Sequence, residues 1–381
     1  MSLPDQVKCV FAHQLYDGSS DAPRLEQIVE IESGRIARVR DARAGEHLEM
    51  PAAAIIAPGF IDMQINGAAD AQFNFAPSLE TLETIAHGAR QGGTAHVLPT
   101  FITAPGRDYR AALAAGRAAL EARVPGILGV HLEGPFLSPK KPGIHPAHAI
   151  RALDEQDLSC LCEAFPGVLL LTLAPECQPD GALRRLASAG VRVSVGHSAA
   201  DLGEVRSAEA DGLTLATHLF NAMGPIEGRI PGVVGAVLTS KTLFAGIIAD
   251  GVHVDWANIS LAHSMMGKRL CAVTDAMLTL AGTTREFDLY GQKVFRADGR
   301  LANSDGRLAG AHVAMDETVR NLIHYVGLSL GQALAMASAN PARALGLEME
   351  LGQIAPGYRA SLTLLDSALA ARGVCVDGLL F

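Results

Sequence analysis

Four ionisable residues each close a short apolar run: Glu133 ends ILGVHLEG, His197 ends VRVSVGH, His218 ends LTLATH and Asp275 ends LCAVTD. Two imidazoles, one carboxylate and an open position for water make a common ligand set for catalytic zinc, and Asp275 stays free to act as a base beside it. Bound metal lowers the pKa of water from about 15.7 to about 7, so hydroxide becomes available near neutrality. Hydrogen-bonded structural histidines are the competing reading of the same residues, and the sequence pattern leaves it open.

Further polar groups follow these runs in loop-like text. Lys140, Lys141, Pro142, Gly143, Ile144 and His145 come after the Glu133 run, Asn221 and Arg229 after His218, and Asp250, Gly251, Val252 and His253 close the run LFAGIIADGVHVD. Arg229 and His253 suit an anion, since an Arg fork binds phosphate bidentately and His adds a donor or a charge. Lys140 and Lys141 read as solvated loop residues. No Walker-type glycine loop is present, which disfavours nucleotide hydrolysis.

These residues need a scaffold that brings distant strand ends together. From about Ala54 the chain repeats short apolar runs, each followed by an Ala-rich helical stretch, and eight such runs can be counted. That rhythm predicts an α/β fold: a (β/α)8 TIM-like barrel, whose active site lies at the C-terminal strand ends. Helices are expected over 79–91, 108–122, 183–189, 312–326 and 331–339, with Asp154, Glu155 and Asp157 marking another N-terminus. An irregular insertion over 280–310 carries hairpin signals around Asp298-Gly299 and Asp305-Gly306. Both chain ends alternate polar and apolar residues, so residues 1–57 and 346–381 are expected to form one small β-sandwich domain, split by a catalytic barrel over 58–345.

Composition narrows the function classes. The 381 residues are 49% hydrophobic and 19% charged with 39 Gly, which excludes disorder and a disulfide-stapled miniature fold. A net charge of −9 argues against nucleic acid and anionic membranes as partners, so an anionic substrate must meet a local cluster of positive groups. No apolar stretch reaches the roughly 18 residues a membrane span needs, and the start lacks a signal-peptide pattern, so the expected location is the cytoplasm. The six cysteines contain no C-x-x-C pair and are expected to be reduced thiols. A mean hydropathy of +0.22 fits strands buried on both faces.

PGFIDMQING, HLEGPFLSPKKPGIHP, VGHS, THLFNAM, GIIADGVHVD and AVTDAM, in this order and spacing, resemble the N-acetylglucosamine-6-phosphate deacetylases of the amidohydrolase superfamily. The likeness runs from Pro58 to about Gly346 and continues through a G-x-I-x-P-G-Y-x-A segment. It implies that Glu133, His197 and His218 hold one divalent metal per subunit, zinc in the first place with other divalent ions open, and that Asp275 is the catalytic acid/base. It further implies that His145 contacts the acetamido carbonyl and that Ile144, Asn221, Ala222, Asp250, Gly251, Val252 and His253 line the substrate site. Arg229 and His253 would bind the 6-phosphate, in some such enzymes across the interface of a homodimer, and Leu308, Ala309 and Gly310 would close over the substrate. Many amidohydrolases carry His-x-His where this chain has Gln64-Ile65-Asn66; amides are poor transition-metal ligands, which implies a single metal, with Gln64 and Asn66 bonding to the sugar or to metal-bound water. The implied reaction is hydrolysis of N-acetylglucosamine 6-phosphate to glucosamine 6-phosphate and acetate. Deacetylation of another amino-sugar phosphate, such as the galactosamine epimer, is the alternative; a non-catalytic scaffold fits the intact residue set less well.

Overall fold

The computed structural model describes residues 5–46 and 50–381; the parts of the expected β segment at 1–4 and 47–49 lie outside the described residues. Eight parallel strands run side by side in chain order: Phe60–Ile65, Thr94–Ile102, Gly129–Glu133, Val168–Leu173, Arg192–Val195, Leu213–Ala216, Phe244–Ile247 and Leu270–Ala272. Each falls inside one of the eight expected runs. The barrel closes just beyond the last strand, where Asp275 N donates to Gln64 O at 2.8 Å and Asn66 N to Ala276 O at 2.7 Å. Asp62 stitches the same seam, accepting from the Gln64 and Thr274 backbone N–H groups and from the Thr274 hydroxyl. Burial, against those bonds, pushes its carboxyl up to about 7.

The helices fall where periodic text and caps placed them. Leu79–Arg90 starts at the Ser78 cap, Glu155–Leu161 at an Asp154–Asp157 capping box, and Tyr109–Glu121, Ala182–Ser188, Met315–His324 and Leu330–Ala337 match the remaining expectations within a few residues. Leu202–Ala210, Gly232–Thr239, Trp256–Met266 and Ala339–Leu345 complete the set of α-helices among the described residues.

The chain ends join in one eight-stranded ladder that contains Cys9–Leu15, Arg24–Glu32, Arg35–Asp41, Ala52–Pro58, Leu362–Leu365 and Ala371–Val376. This ladder curls over its own apolar face. The turn at Gly34, from one wing, meets the turn at Gly378, from the other, and Ala360 N donates to Gly34 O at 2.9 Å. The two layers expected of a sandwich are thus the wings of one continuous sheet, sharing a core that includes Val10, Val29, Ile36, Leu362 and Cys375.

The insertion is more regular than the sequence suggests. Glu286–Leu289, Gln292–Ala297 and Arg300–Asn303 form a three-stranded antiparallel flap, with Asp298-Gly299 turning the second hairpin. Leu289, Val294, Leu301 and Ala309 of the flap pack on Ile102 and Met277 of the barrel mouth.

Candidate active site

Glu133 is the last residue of its strand, and His197 and His218 follow theirs by two residues. The three ligand-capable atoms lie close together: His197 Nε2 is 3.1 Å and His218 Nε2 2.9 Å from Glu133 Oε1, and the two ring nitrogens are 3.1 Å apart. His197 Nδ1 donates to the Lys141 carbonyl at 2.9 Å, which leaves its Nε2 as a lone pair aimed at the other two atoms. Two imidazole nitrogens and a carboxylate oxygen, all buried and converging on one point, make a compact N2O donor set of the kind that holds a divalent metal. Burial opposes ionisation of Glu133, but the two imidazoles hold its carboxyl well below the usual range.

Asp275 stands across from this trio. Its Oδ1 accepts from Asn66 Nδ2 at 2.7 Å and from Gln64 Nε2 at 3.2 Å, and Gln64 Nε2 also reaches Glu133 Oε2 at 3.3 Å. Burial, with the negative charge of Glu133, lifts the Asp275 carboxyl to about 6, a value suited to passing a proton in both directions near neutrality. His145 completes the ring of groups. Its Nδ1 is 2.8 Å from Thr103 Oγ1, and its Nε2 points inward, 4.0 Å from Glu133 Oε1. Burial, reinforced by His197, holds the His145 ring down to about 3, so it is neutral. The loop that carries it can pass close to the trio only through Gly143, where an added Cβ would lie 2.9 Å from His197 Cε1 at φ +58°.

The backbone at this mouth is strained. His197, His218 and Asp275 have φ of 48°, 32° and 49°, in a region that costs non-glycine residues about 1–3 kcal/mol. Local bonds hold the turns: Leu219 N to Gly246 O at 2.8 Å, and Ala311 N to Asp275 O at 2.8 Å. Below lies a buried polar layer. His131 bridges Thr100 and Thr172 at 3.0 and 2.7 Å, and Thr217, next to His218, bonds to Thr172 and Ser194, both at 2.6 Å. Burial holds His131 down to about 4, so this layer is neutral as well.

Comparison with known proteins agrees with this geometry. Residues 55–379 match the sequence pattern of the amidohydrolase family. The chain is 37% identical over 324 residues to the N-acetylglucosamine-6-phosphate deacetylase of Haemophilus influenzae, covering 84% of each chain. The chain belongs to the amidohydrolase family. It is also 36% identical over 357 residues to an N-acetylgalactosamine-6-phosphate deacetylase of a Shewanella species, covering 92% of this chain and 90% of that one. Its fold superposes on the crystal structure of N-acetylglucosamine-6-phosphate deacetylase from Pasteurella multocida with a TM-score of 0.92 and 33% identity, over 98% of this chain and 99% of that one.

This amidohydrolase gathers most of the expected residues around one cavity of about 260 Å³. Glu133, His145, His197, His218, His253 and Asp275 line it, as do Asn66, Ile144, Asn221, Ala222, Leu308 and Gly310. Gln64 lies buried beneath the carboxylates, and Ala309 is buried in the flap core. Where many amidohydrolases carry two imidazoles, Gln64 and Asn66 each turn an amide N–H onto Asp275 Oδ1, and Asn66 Oδ1 is buried without a protein partner among the described residues. Asp250 does not line the cavity; it accepts from the Val252 and His253 backbones and holds His253 Nδ1 at 2.7 Å. Arg229 is exposed on the loop before Gly232–Thr239 and is absent from the cavity wall that includes His253.

Several wall residues carried no sequence signal of their own. Ile102, Met277 and Leu289 form an apolar side. Arg307, also in the wall, donates from Nη1 to Gly143 O at 3.1 Å and so ties the flap to the His145 loop. Its Arg-Leu-Ala-Gly context beside the expected 308–310 segment was the available hint.

Proposed function

We propose that this protein hydrolyses the acetamide of N-acetylglucosamine 6-phosphate, giving glucosamine 6-phosphate and acetate, with one divalent metal ion, zinc in the first place, held by Glu133, His197 and His218. The observation that carries this reading is a buried Asp275 carboxylate, lifted in pKa, sharing one cavity with that trio and with neutral His145. When bound, the cation acts as a Lewis acid on the amide carbonyl and acidifies water. Asp275 takes the proton of the attacking water on the carboxylate oxygen left free by Gln64 and Asn66, then returns it to the leaving amine nitrogen. His145 Nε2 donates to the carbonyl oxygen as negative charge grows there. His253, fixed by Asp250, offers its other ring nitrogen to the 6-phosphate, and binding energy from that remote group orients the reacting amide. The flap, tied down through Arg307 and Gln292, keeps bulk water out.

Catalysis is assigned to residues 58–345, with 1–57 and 346–381 as the accompanying β unit, in a cytoplasmic homodimer. Leu202, Ile226, Ile230, Leu261 and Met265 leave an exposed apolar patch in the neighbourhood of Arg229, which supports an interface that carries Arg229 toward a partner's phosphate site. Among the described residues no helix is long and apolar enough to cross a membrane, and all six cysteines are free thiols, which suits a reducing compartment. The galactosamine epimer is the second reading, favoured by the similarity to the Shewanella enzyme. Acetate release from a panel of N-acetylhexosamines with and without 6-phosphate decides between them. Turnover of the gluco 6-phosphate above the others supports the proposal, preference for the galacto epimer moves it to the second reading, and no release from any of them overturns both.

A further inference from the structure

Thr103 is buried, with 1% of its surface exposed, and its hydroxyl lies between His145 Nδ1 at 2.8 Å and the backbone oxygen of Glu133 at 3.3 Å. A hydroxyl has one proton to give, and good hydroxyl hydrogen bonds span about 2.5–3.0 Å; the contact to His145 lies within that range and the one to the Glu133 oxygen is the longer and weaker of the two. The position is built for this contact. Gly134 follows Glu133, and a Cβ there would stand 2.2 Å from Thr103 Oγ1; only a glycine leaves room for the hydroxyl. The His145 ring is held on its other side by His197, with ring centroids 4.3 Å apart, and its side chain is 3% exposed, so it cannot turn over to exchange its two nitrogens.

From this geometry we infer that Thr103 is a positioning residue that fixes the tautomer of His145: the Thr103 O–H donates to Nδ1, so the single ring proton resides on Nε2. The inverse arrangement, in which Nδ1–H donates to Thr103, would present a lone pair to the substrate carbonyl oxygen and repel the charge that develops on it. The hydroxyl thus decides whether the imidazole is an oxyanion donor or an obstacle. Thr103 ends the second barrel strand by one residue, and its side chain reaches His145 from beneath, outside the wall of the cavity. This inference rests on the donor role proposed for His145, and its main test needs no substrate, so a wrong substrate and a wrong tautomer give different failures.

The test is nitrogen-15 NMR of the imidazoles in the zinc-loaded and the metal-free protein, with His145 assigned by its loss in His145→Gln. A protonated Nε2 and a hydrogen-bonded, unprotonated Nδ1 are expected in the parent protein and in Thr103→Ser, which keeps the hydroxyl. In Thr103→Val, of nearly the same shape, that preference should vanish. Its kcat should fall about 10- to 100-fold, bounded by the roughly 100- to 1,000-fold cost of deleting one oxyanion donor, while KM and metal content hold and Thr103→Ser recovers the rate. A proton on Nδ1 in the parent protein overturns the inference even if the valine variant does not fold. So does a valine variant that keeps both the Nε2–H signature and the parent kcat.

Discussion

Replacing Asp275 with Asn perturbs the proposed chemistry while leaving the surroundings almost untouched. Asp275 Oδ1 accepts both amide bonds, at 2.7 Å from Asn66 and 3.2 Å from Gln64, and an Asn oxygen can accept the same two. What changes is the second oxygen, which becomes an NH2 donor with no affinity for the proton of water. Loss of a positioned general base costs about 10²- to 10⁴-fold in rate, or about 3–5.5 kcal/mol of barrier at about 1.36 kcal/mol per decade. The three side chains proposed to hold the metal are not altered, so kcat should fall by that factor with KM and metal content near the parent values. The pH profile adds a second readout. Burial raises the Asp275 carboxyl to about 6, and the working form is the ionised one, so parent activity falls as pH drops through that pKa. The cation pulls the value back down, which sets the acid limb at or below about pH 6 in the loaded enzyme. Acetate release should be followed from about pH 5 to about pH 9, with elemental analysis on the same samples. A variant that keeps its metal and works within about twofold of the parent, or that retains the same acid limb, refutes the assignment.

Elemental analysis of the parent protein should find about one tightly held divalent ion per chain, as three protein ligands suggest, and two equivalents would contradict the reading of Gln64 and Asn66. For Arg229→Ala the preference for phosphorylated over unphosphorylated substrate should shrink; in a mixture with His253→Ala chains, shared dimers should recover activity if Arg229 serves the neighbouring site, and no recovery refutes that arrangement. Asp70 receives the Thr283 and Thr284 backbone N–H groups at 2.8–3.0 Å where the flap leaves the barrel, and those bonds lower its carboxyl to about 2. Its folded pKa is depressed, so this anchor is in full force above about pH 4 and fades as pH falls toward about 2. Asp70→Asn should speed amide exchange at residues 283–284, and unchanged exchange would show that the flap is held elsewhere.

The barrel was legible because each strand is an apolar run that stops at a polar or ionisable residue, and the architecture puts those stops on one rim. Glu133, His197, His218 and Asp275 stood out on that ground alone. The flap was harder to read, since Gln292–Ala297 fully buries only Val294 and its alternation is broken by charged residues. The helix Gly232–Thr239 left no periodic trace because nearly all its residues are buried, and a helix without a polar face offers Gly and Val where amphipathic spacing would be sought. Thr103, Arg307 and Met277 act through distance in space, and no local pattern in the chain marks a residue whose partner lies tens of positions away.

The left-handed backbone at His197, His218 and Asp275 has a consequence for the history of this protein under mutation. A glycine at any of the three would release about 1–3 kcal/mol of strain and give back about 0.5–1 kcal/mol in added chain entropy. It would also strip a bond from a buried partner, Asn66 Nδ2 at Asp275 or Glu133 Oε1 at either histidine, at about 1–3 kcal/mol each. Strain and hydrogen bonding therefore pull stability in opposite directions at the same three positions.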